Sequence, residues 1–350
     1  MKTEILALLR ESSEHISGQE LCSRFGVSRT AIWKVMNQLK AEGYQIEAIS
    51  NKGYRLCNQP DVLTVGEIAG RLNTRVMGRE LYCLTETAST NAEARRLGEE
   101  GCSHGTLITA EAQLDGRGRR GRSWVTTQGD SIAMSLLLRP DFPPVQASML
   151  TLIMALSVCE AMEEICGIQP AIKWPNDIVY KEHKICGILT EMNTEQDYIH
   201  WVIIGVGINV NQTGLPEEIR EIASSLKILT GQKTLRSELI AQVLACFEKN
   251  YDVFVKTGNM EAGSPEASLL EKSSLLEKSS LLEKSSLLED YNKRLINRDR
   301  EVRVLDPQEP FTGCARGVNA KGELMVERES GEVVAVYAGE VSVRGLYGYV

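Results

Sequence analysis

Nine cysteines are scattered along the chain (Cys22, Cys57, Cys83, Cys102, Cys159, Cys166, Cys186, Cys246 and Cys314), yet no CxxC pair occurs and their number is odd. A disulfide framework and a cysteine-rich zinc site are therefore not expected, and the chain reads as one from a reducing cytoplasm. There are only four histidines (His15, His104, His183 and His200), none in metal-ligand spacing, so no protein-built metal centre is expected. No run of about 18 apolar residues stands out, which argues against a membrane-spanning helix and against a membrane partner. Charges interrupt the apolar residues of positions 1–30, so a secretory leader is not expected there. The net charge of -8 excludes a uniformly basic nucleic-acid coat.

What is present is an ordinary globular composition: 350 residues, 43% hydrophobic and 25% charged, enough for two or three domains. The charge is uneven. Residues 1–60 hold eight basic and six acidic side chains, a net +2 that leaves -10 on the rest. Between Leu21 and Ala41 there are four basic residues and no acid. A small cationic module on an acidic body points to local contact with phosphates.

In that module, residues 2–10 and 18–25 have helical patterns, and Gly26 stops the second. Ser28 then stands at an N-cap position before a helix over 29–40, where Ile32, Val35, Met36 and Leu39 share one face at about 100° per residue. Ser28, Arg29, Thr30, Trp33, Lys34 and Asn37 are the candidate DNA-contacting residues at its start and outer face. After Gly43 the pattern alternates, turns at Asn51-Lys52-Gly53 and alternates again. That hairpin is the wing of a winged helix-turn-helix, with Lys52 at its tip within reach of a phosphate. The competing reading is a small helical domain with a solvated basic face. Trp33 is unusual on an outer face and is expected to pack on the wing or read a base.

Residues 65–255 alternate strands and helices, the pattern of a mixed-sheet domain. Strands are expected at 81–85, 105–112, 131–139, 172–174, 178–180, 187–192 and 201–209, and helices at 91–100, 146–166 and 237–254. Within this region lies Gly116-Arg117-Gly118-Arg119-Arg120-Gly121-Arg122-Ser123-Trp124. It contains GxGxxG formally, but no good helix follows and every x is arginine, so the dinucleotide reading is set aside. Glycines let a backbone bend close to a ligand, and guanidinium forks bind phosphate oxygens in pairs. The segment reads as a mobile cationic strap, loose without ligand and closed over an acyl phosphate or polyphosphate. A solvated loop or a nucleic-acid patch is the alternative. Downstream, Lys173-Trp174-Pro175-Asn176-Asp177 groups a cation, an aromatic and a carboxylate, and Lys184 precedes an apolar strand. Flanked by apolar strands, both lysines are expected to face a site. Asn209 ends a buried strand, a usual place for a ligand contact. Ser89-Thr90-Asn91 reads as an N-cap cluster whose hydroxyls also suit a polar ligand.

Taken in order, GRGRRGRSW, KWPND, KICGIL and GVGINVN resemble the family of bifunctional biotin protein ligases and biotin operon repressors. The resemblance covers nearly the whole chain. It implies an α+β protein with an N-terminal winged helix-turn-helix (1–62), a central mixed α/β-sheet catalytic domain of the biotin/lipoate ligase type (65–258), and a C-terminal SH3-like β-barrel (291–350). It implies ATP-dependent formation of biotinyl-5′-AMP with Mg²⁺, then transfer of biotin to a lysine of the biotin carboxyl carrier protein of acetyl-CoA carboxylase. It also implies repression at operator DNA, with the adenylate as corepressor favouring a homodimer. Biotin contacts fall on Ser89, Thr90, Asn91, Gln113, Arg117, Gly118, Arg119 and Lys184. Contacts to ATP or the adenylate fall on Arg119, Arg120, Arg122, Trp124, Lys173, Asn176 and Asn209. Arg119, Lys184, Lys173 and Asp177 carry the catalytic roles; Asp177 supports Mg²⁺ or the acceptor lysine, or braces Lys173. A repressor with little ligase activity and a lipoate-type ligase remain as alternatives.

Residues 301–349 alternate, with turns at Asp306-Pro307, Lys321-Gly322 and Ser330-Gly331, as in a small barrel. The barrel is expected to assist ATP and carrier binding, or simply to cap the fold. Between the two domains, residues 259–290 depart from the family. Residues 268–285 are three copies of Ser-Leu-Leu-Glu-Lys-Ser, and Ser286 begins a fourth. Six residues rotate a helix by roughly 240°, so the leucine pairs form no stripe. A poorly packed or lengthened helix with little part in the chemistry is expected.

Overall fold

The computed structural model of the chain describes residues 1–58, 60–257, 287–306, 309–337 and 342–345. The three complete repeat copies, and the expectation of a helix there, lie outside the described residues.

The N-terminal part is a winged helix-turn-helix. Helices α1 (Lys2–Glu11), α2 (Gly18–Phe25) and α3 (Arg29–Ala41) precede the antiparallel hairpin β1 (Gln45–Ile49) and β2 (Gly53–Asn58). Caps set the bounds. Ser17 accepts from the Glu20 N–H and Ser28 from the Ala31 N–H, while Gly26 ends α2 at φ 65°. Ile32, Val35, Met36 and Leu39 join Ile5, Leu6, Leu9 and Leu21 in one small core.

This module is bolted to the central domain at two places. Arg10 of α1 reaches the fully buried Glu67 of α4 (Val65–Ala69), which also takes Arg71 at 2.6 Å. Asp61, just past the wing, binds the buried Arg236, whose guanidinium also donates to Glu111 at 2.7 Å. Neither α4 nor the short helix α7 (Leu226–Thr230) is anticipated by periodicity.

The central sheet has seven strands: β3 (Leu81–Thr87), β4 (Thr106–Gln113), β5 (Ser131–Leu138), β6 (Ala171–Lys173), β7 (Asp177–Tyr180), β8 (His183–Thr194) and β9 (Ile199–Asn209). Their order is β3-β4-β5-β9-β8-β7-β6, parallel between β3 and β4 and antiparallel elsewhere. Helices α6 (Met149–Cys166) and α8 (Arg236–Thr257) cover one face, and α5 (Thr90–Glu99) covers part of the other. Strand alternation sorts the side chains between these faces. Ile204, Val206 and Ile208 of β9 join the α6 core, whereas Ile203 joins the α5 core.

Helix α6 corrects one expectation from the sequence. The segment Pro144–Cys166 is long and apolar enough to cross a membrane by length and composition. Its side chains are instead buried: Leu150, Ile153, Met154, Leu156 and Val158 are all at 0% exposure. Sandwiched between the sheet and α8, it is apolar on nearly all sides because it is a core helix.

The C-terminal part begins with α9 (Leu287–Arg294), whose Leu287, Leu288 and Tyr291 are buried. The fourth repeat start thus supplies two core leucines. Five strands follow, β10 (Glu301–Leu305), β11 (Phe311–Val318), β12 (Leu324–Glu327), β13 (Val333–Val336) and β14 (Ser342–Gly345), in the order β13-β12-β11-β10-β14. This small antiparallel sheet has the SH3-like form, open between β13 and β14 among the described residues.

Glu248 of α8 shows how loops are tied to this core. Its carboxylate accepts the backbone N–H groups of Arg75, Val76 and Met77 at 2.7, 2.7 and 3.0 Å. Burial pushes its pKa up, but those donors and Arg75 outweigh it and hold it below the usual carboxylate range. A depressed folded-state pKa stabilises the fold at neutral pH, and the contribution is lost as pH falls through that value. Glu248→Ala is expected to lower stability by about 1–3 kcal/mol at pH 7, by urea denaturation. The deficit should shrink below the ordinary carboxylate range; an equal deficit at acid pH would contradict this.

Candidate active site

The alternation that buries β9 against α6 also opens a trough on the opposite face. Residues 205 and 207 point there, and both are glycine. A Cβ on Gly205 would lie 2.3 Å from Asn91 Oδ1, and one on Gly207 would lie 2.3 Å from the Trp124 ring. Gly187 of the neighbouring β8 is similarly tight, with Trp124 at 3.0 Å and Lys184 at 3.1 Å. Three glycines in otherwise apolar strands therefore make room for polar side chains and an indole.

Above the trough lies a cavity of about 540 Å³. It gathers Ser89, Thr90, Asn91 and Gln113 at one end. Arg117, Gly118, Arg119, Arg120, Arg122 and Trp124 come from the strap, and Lys173, Asn176, Asp177, Lys184 and Asn209 from the sheet. Every cavity residue expected from the sequence thus lines one space. Six of the lining side chains are cationic and only Asp177 is acidic. That imbalance calls for an anionic ligand with several charges.

The strap has a defined path here, where the sequence analysis expects a loose one without ligand. Gly118 N–H donates to Arg122 O, and Trp124 N–H to Gly116 O, both at 2.7 Å. Arg120 takes φ 59° at the tip. Arg117 is exposed and paired with Asp115 at 2.9 Å, while Arg120 and Arg122 are exposed at the rim. Arg119 turns inward. It donates to Asn176 Oδ1 at 3.2 Å, and the Asn176 amide in turn donates to Ile188 O at 2.9 Å. Asn176 therefore hooks the strap to β8. Burial lowers the Arg119 pKa, Asp177 opposes this, and Arg120 and Arg122 add to the lowering.

Lys173 is buried, and Lys184 Nζ lies 2.7 Å from Asp177 Oδ1 and 5.5 Å from the Trp124 ring centre. Strand β8 starts at His183, earlier than expected, so Lys184 is fixed within the sheet and also pairs by backbone with residues 222–224. Asn209 spends its amide inward, donating to Ser224 O at 3.1 Å and accepting from Gln212 at 3.1 Å. Trp174 backs the cavity wall: it is 1% exposed, and its indole donates to Gly322 O in the C-terminal sheet at 3.1 Å. Ser89 is the N-cap of α5 without a side-chain cap bond, so its hydroxyl is uncommitted to the helix. Among the lining residues missed by sequence reasoning are Ile219, Ile222 and Ala223. They sit in an irregular segment with no periodic signal.

Among the described residues no group of three or more His, Cys, Asp or Glu can hold a metal. The residues fit Mg²⁺ only in the manner of nucleotide enzymes, where the ion arrives on phosphates and takes one or two carboxylates. Asp177 is the carboxylate at hand.

On the N-terminal module, Thr30, Trp33, Lys34, Asn37 and Lys52 are all exposed on one side of α3 or at the wing tip. Trp33 is 58% exposed, so it does not bury itself on the wing. Ser28 is occupied as the cap, and Arg29 donates to Gln19 at 3.0 Å.

A helix-turn-helix module joined to a sheet domain with an anion-binding cleft defines a DNA-binding ligase class, and comparison with known proteins agrees. The chain matches the biotin/lipoate A/B protein ligase family over residues 81–209, an HTH domain over 2–55, and the biotin protein ligase C-terminal domain over 299–344. It is 37% identical to the bifunctional ligase/repressor BirA of Bacillus subtilis, over 98% of both chains. Identity to that of Escherichia coli is 28%, over 97% of this chain and 96% of the other. A structure of the Aquifex aeolicus biotin protein ligase in complex with biotin and ATP superposes with TM-score 0.61 at 31% identity, over 76% of this chain and 99% of that one. The chain belongs to the family of bifunctional biotin ligase/repressors.

The close stacking of Trp124 on Gly207 yields a test. Gly207→Ala is expected to displace the indole and raise the KM for ATP about tenfold or more, with a shift in tryptophan emission. An unchanged KM together with unchanged emission would contradict the placement.

Proposed function

We propose that the chain activates biotin with ATP, holds biotinyl-5′-AMP under the strap, and transfers biotin to a lysine of the biotin carboxyl carrier protein. The observation that carries this reading is the six-cation cavity closed by a strap hooked to the sheet through Arg119 and Asn176. A carboxylate oxygen of biotin attacks the α-phosphorus, and pyrophosphate leaves. The carrier amine then attacks the mixed anhydride carbonyl, and AMP leaves. The negative charge spread over the phosphoryl transition state is what fixed arginines and lysines stabilise. Asp177 is the residue that would help hold Mg²⁺ arriving with ATP, and the ion would supply further charge neutralisation there.

In this arrangement Ser89, Thr90, Asn91 and Gln113 receive the biotin rings. Lys184 is held by Asp177 toward the carboxylate and α-phosphate, and Lys173 serves the phosphates from beneath. Arg117, Gly118 and Arg119 close over biotin and the anhydride, with Arg120 and Arg122 at the outer phosphates. Trp124, Asn176 and Asn209 shape the nucleotide side, where Asn209 acts through its backbone and through loop anchoring. A closed strap also shields the anhydride from water.

We further propose that the outer face of α3 and the wing bind operator DNA, and that the adenylate favours a homodimer placing two modules on two half-sites. Both activities belong in the cytoplasm, with the ATP and the carrier. Incubation with ATP, labelled biotin and apo carrier protein tests the ligase: label on the carrier lysine is expected, and none would sink the reading. Arg119→Gly is expected to leave a folded chain that releases the adenylate at least about tenfold faster, since one charge-assisted contact is lost. An unchanged off-rate would defeat the strap's role. Footprinting on the chain's own upstream DNA should show protection that depends on biotin and ATP.

A further inference from the structure

Three of the lining residues, Thr90, Asn91 and Gln113, are joined in a run of hydroxyls and amides behind the cavity wall by a residue that no role above explains, Ser135. Ser135 is fully buried on β5 and is not part of the cavity lining. Its Oγ lies 2.8 Å from Thr90 Oγ1 and 2.6 Å from Asn91 Oδ1. Thr90 Oγ1 in turn lies 2.9 Å from Gln113 Oε1.

Both ends of this run are fixed as acceptors. Gln113 Oε1 takes the Thr90 backbone N–H at 2.8 Å. Asn91 Nδ2 donates to Glu191 Oε2 at 2.7 Å, and the other Glu191 oxygen accepts from Arg95 at 2.8 Å. A carboxylate only accepts, so the Asn91 nitrogen must face Glu191 and its oxygen must face Ser135.

Three oxygen–oxygen contacts therefore link four oxygens, with two hydroxyl hydrogens among them. Whichever way the hydroxyls turn, one contact lacks its hydrogen. Buried lone pairs that face each other without a hydrogen are unfavourable. A ligand donor reaching Thr90 Oγ1 or Gln113 Oε1 relieves the deficit, and a ligand acceptor worsens it.

We infer that Ser135 and Glu191 are positioning residues that fix the hydrogen-bond polarity of this end of the cavity, so that it selects a ligand ring bearing an N–H donor. The inference rests on the biotin reading and deepens it. The cyclic urea of biotin brings two N–H groups, whereas the dithiolane ring of a lipoate-type substrate brings none.

The test is calorimetric titration of the full chain with biotin and with its two cyclic carbamate isosteres, in which one ring N–H is replaced by oxygen. The unaltered chain is expected to lose about ten- to hundredfold in affinity for at least one isostere. Ser135→Ala removes two of the three contacts and one hydrogen, leaving the Thr90 hydroxyl to satisfy Gln113 alone, and should narrow that ratio. Glu191→Gln frees the Asn91 amide to turn its nitrogen toward Ser135 and supply the missing hydrogen. It should narrow the ratio too, without altering a buried core side chain, so it carries the test if Ser135→Ala does not fold. The KM for ATP should stay unchanged in both. Folded variants that keep the full discrimination, or an unaltered chain that binds biotin and both isosteres equally, would overturn the inference alone. A chain that binds no biotin would overturn the proposed function, and the inference with it.

Discussion

Like charges crowded round one cavity govern the rest of this structure. Four arginines and two lysines face a single carboxylate. Arg117, Arg120 and Arg122 stand exposed, whereas Arg119, Lys173 and Lys184 are partly or fully buried, where like charges are screened least. Asp115 pairs with Arg117 at 2.9 Å, and two further contacts act deeper in the cavity. Asp177 neutralises Lys184 at 2.7 Å, and Asn176 ties Arg119 to β8 with a neutral amide that leaves the guanidinium's charge intact. The remaining imbalance is completed by a ligand carrying several negative charges. ATP and the biotin carboxylate supply those charges while the acyl adenylate forms; the adenylate then keeps one, on its phosphate.

The trough that receives this ligand depends on strand alternation. Even-numbered positions of β9 feed the α6 core; of the odd-numbered ones, Ile203 packs against α5, while Gly205, Gly207 and Asn209 line the site. Glycines at 205 and 207 leave space where side chains would otherwise fill the sheet face. One face of the strand thus serves stability alone, and the other is divided between the α5 core and recognition. The winged module joins the same domain through Arg10–Glu67 and Asp61–Arg236. Its recognition helix therefore rides on the body that binds the ligand.

Much of this was legible in the sequence, and for physical reasons. Helices α2 and α3 lie within a residue of their expected ends, because Ser28 and Gly26 cap them and the apolar period is clear. The strap, the KWPND bend and Lys184 announced themselves as cations among glycines and apolar strands. What stayed hidden was set by tertiary contact. Ser135 reads as one small polar residue in an apolar strand, and only the fold brings Thr90 and Asn91 to it. Trp174 sits in the motif yet serves the C-terminal sheet, a partner more than a hundred residues away. Helix α6 is membrane-like in composition because it is enclosed on both sides, which no local pattern reveals.

Retention of an activated intermediate under the strap is the central claim, and pyrophosphate release in the absence of carrier protein measures it most directly. With biotin and ATP supplied, the account predicts a burst of one pyrophosphate per chain, then near-silence, with turnover restored when apo carrier is added. Continuous pyrophosphate release without carrier, or no burst at all, would contradict it.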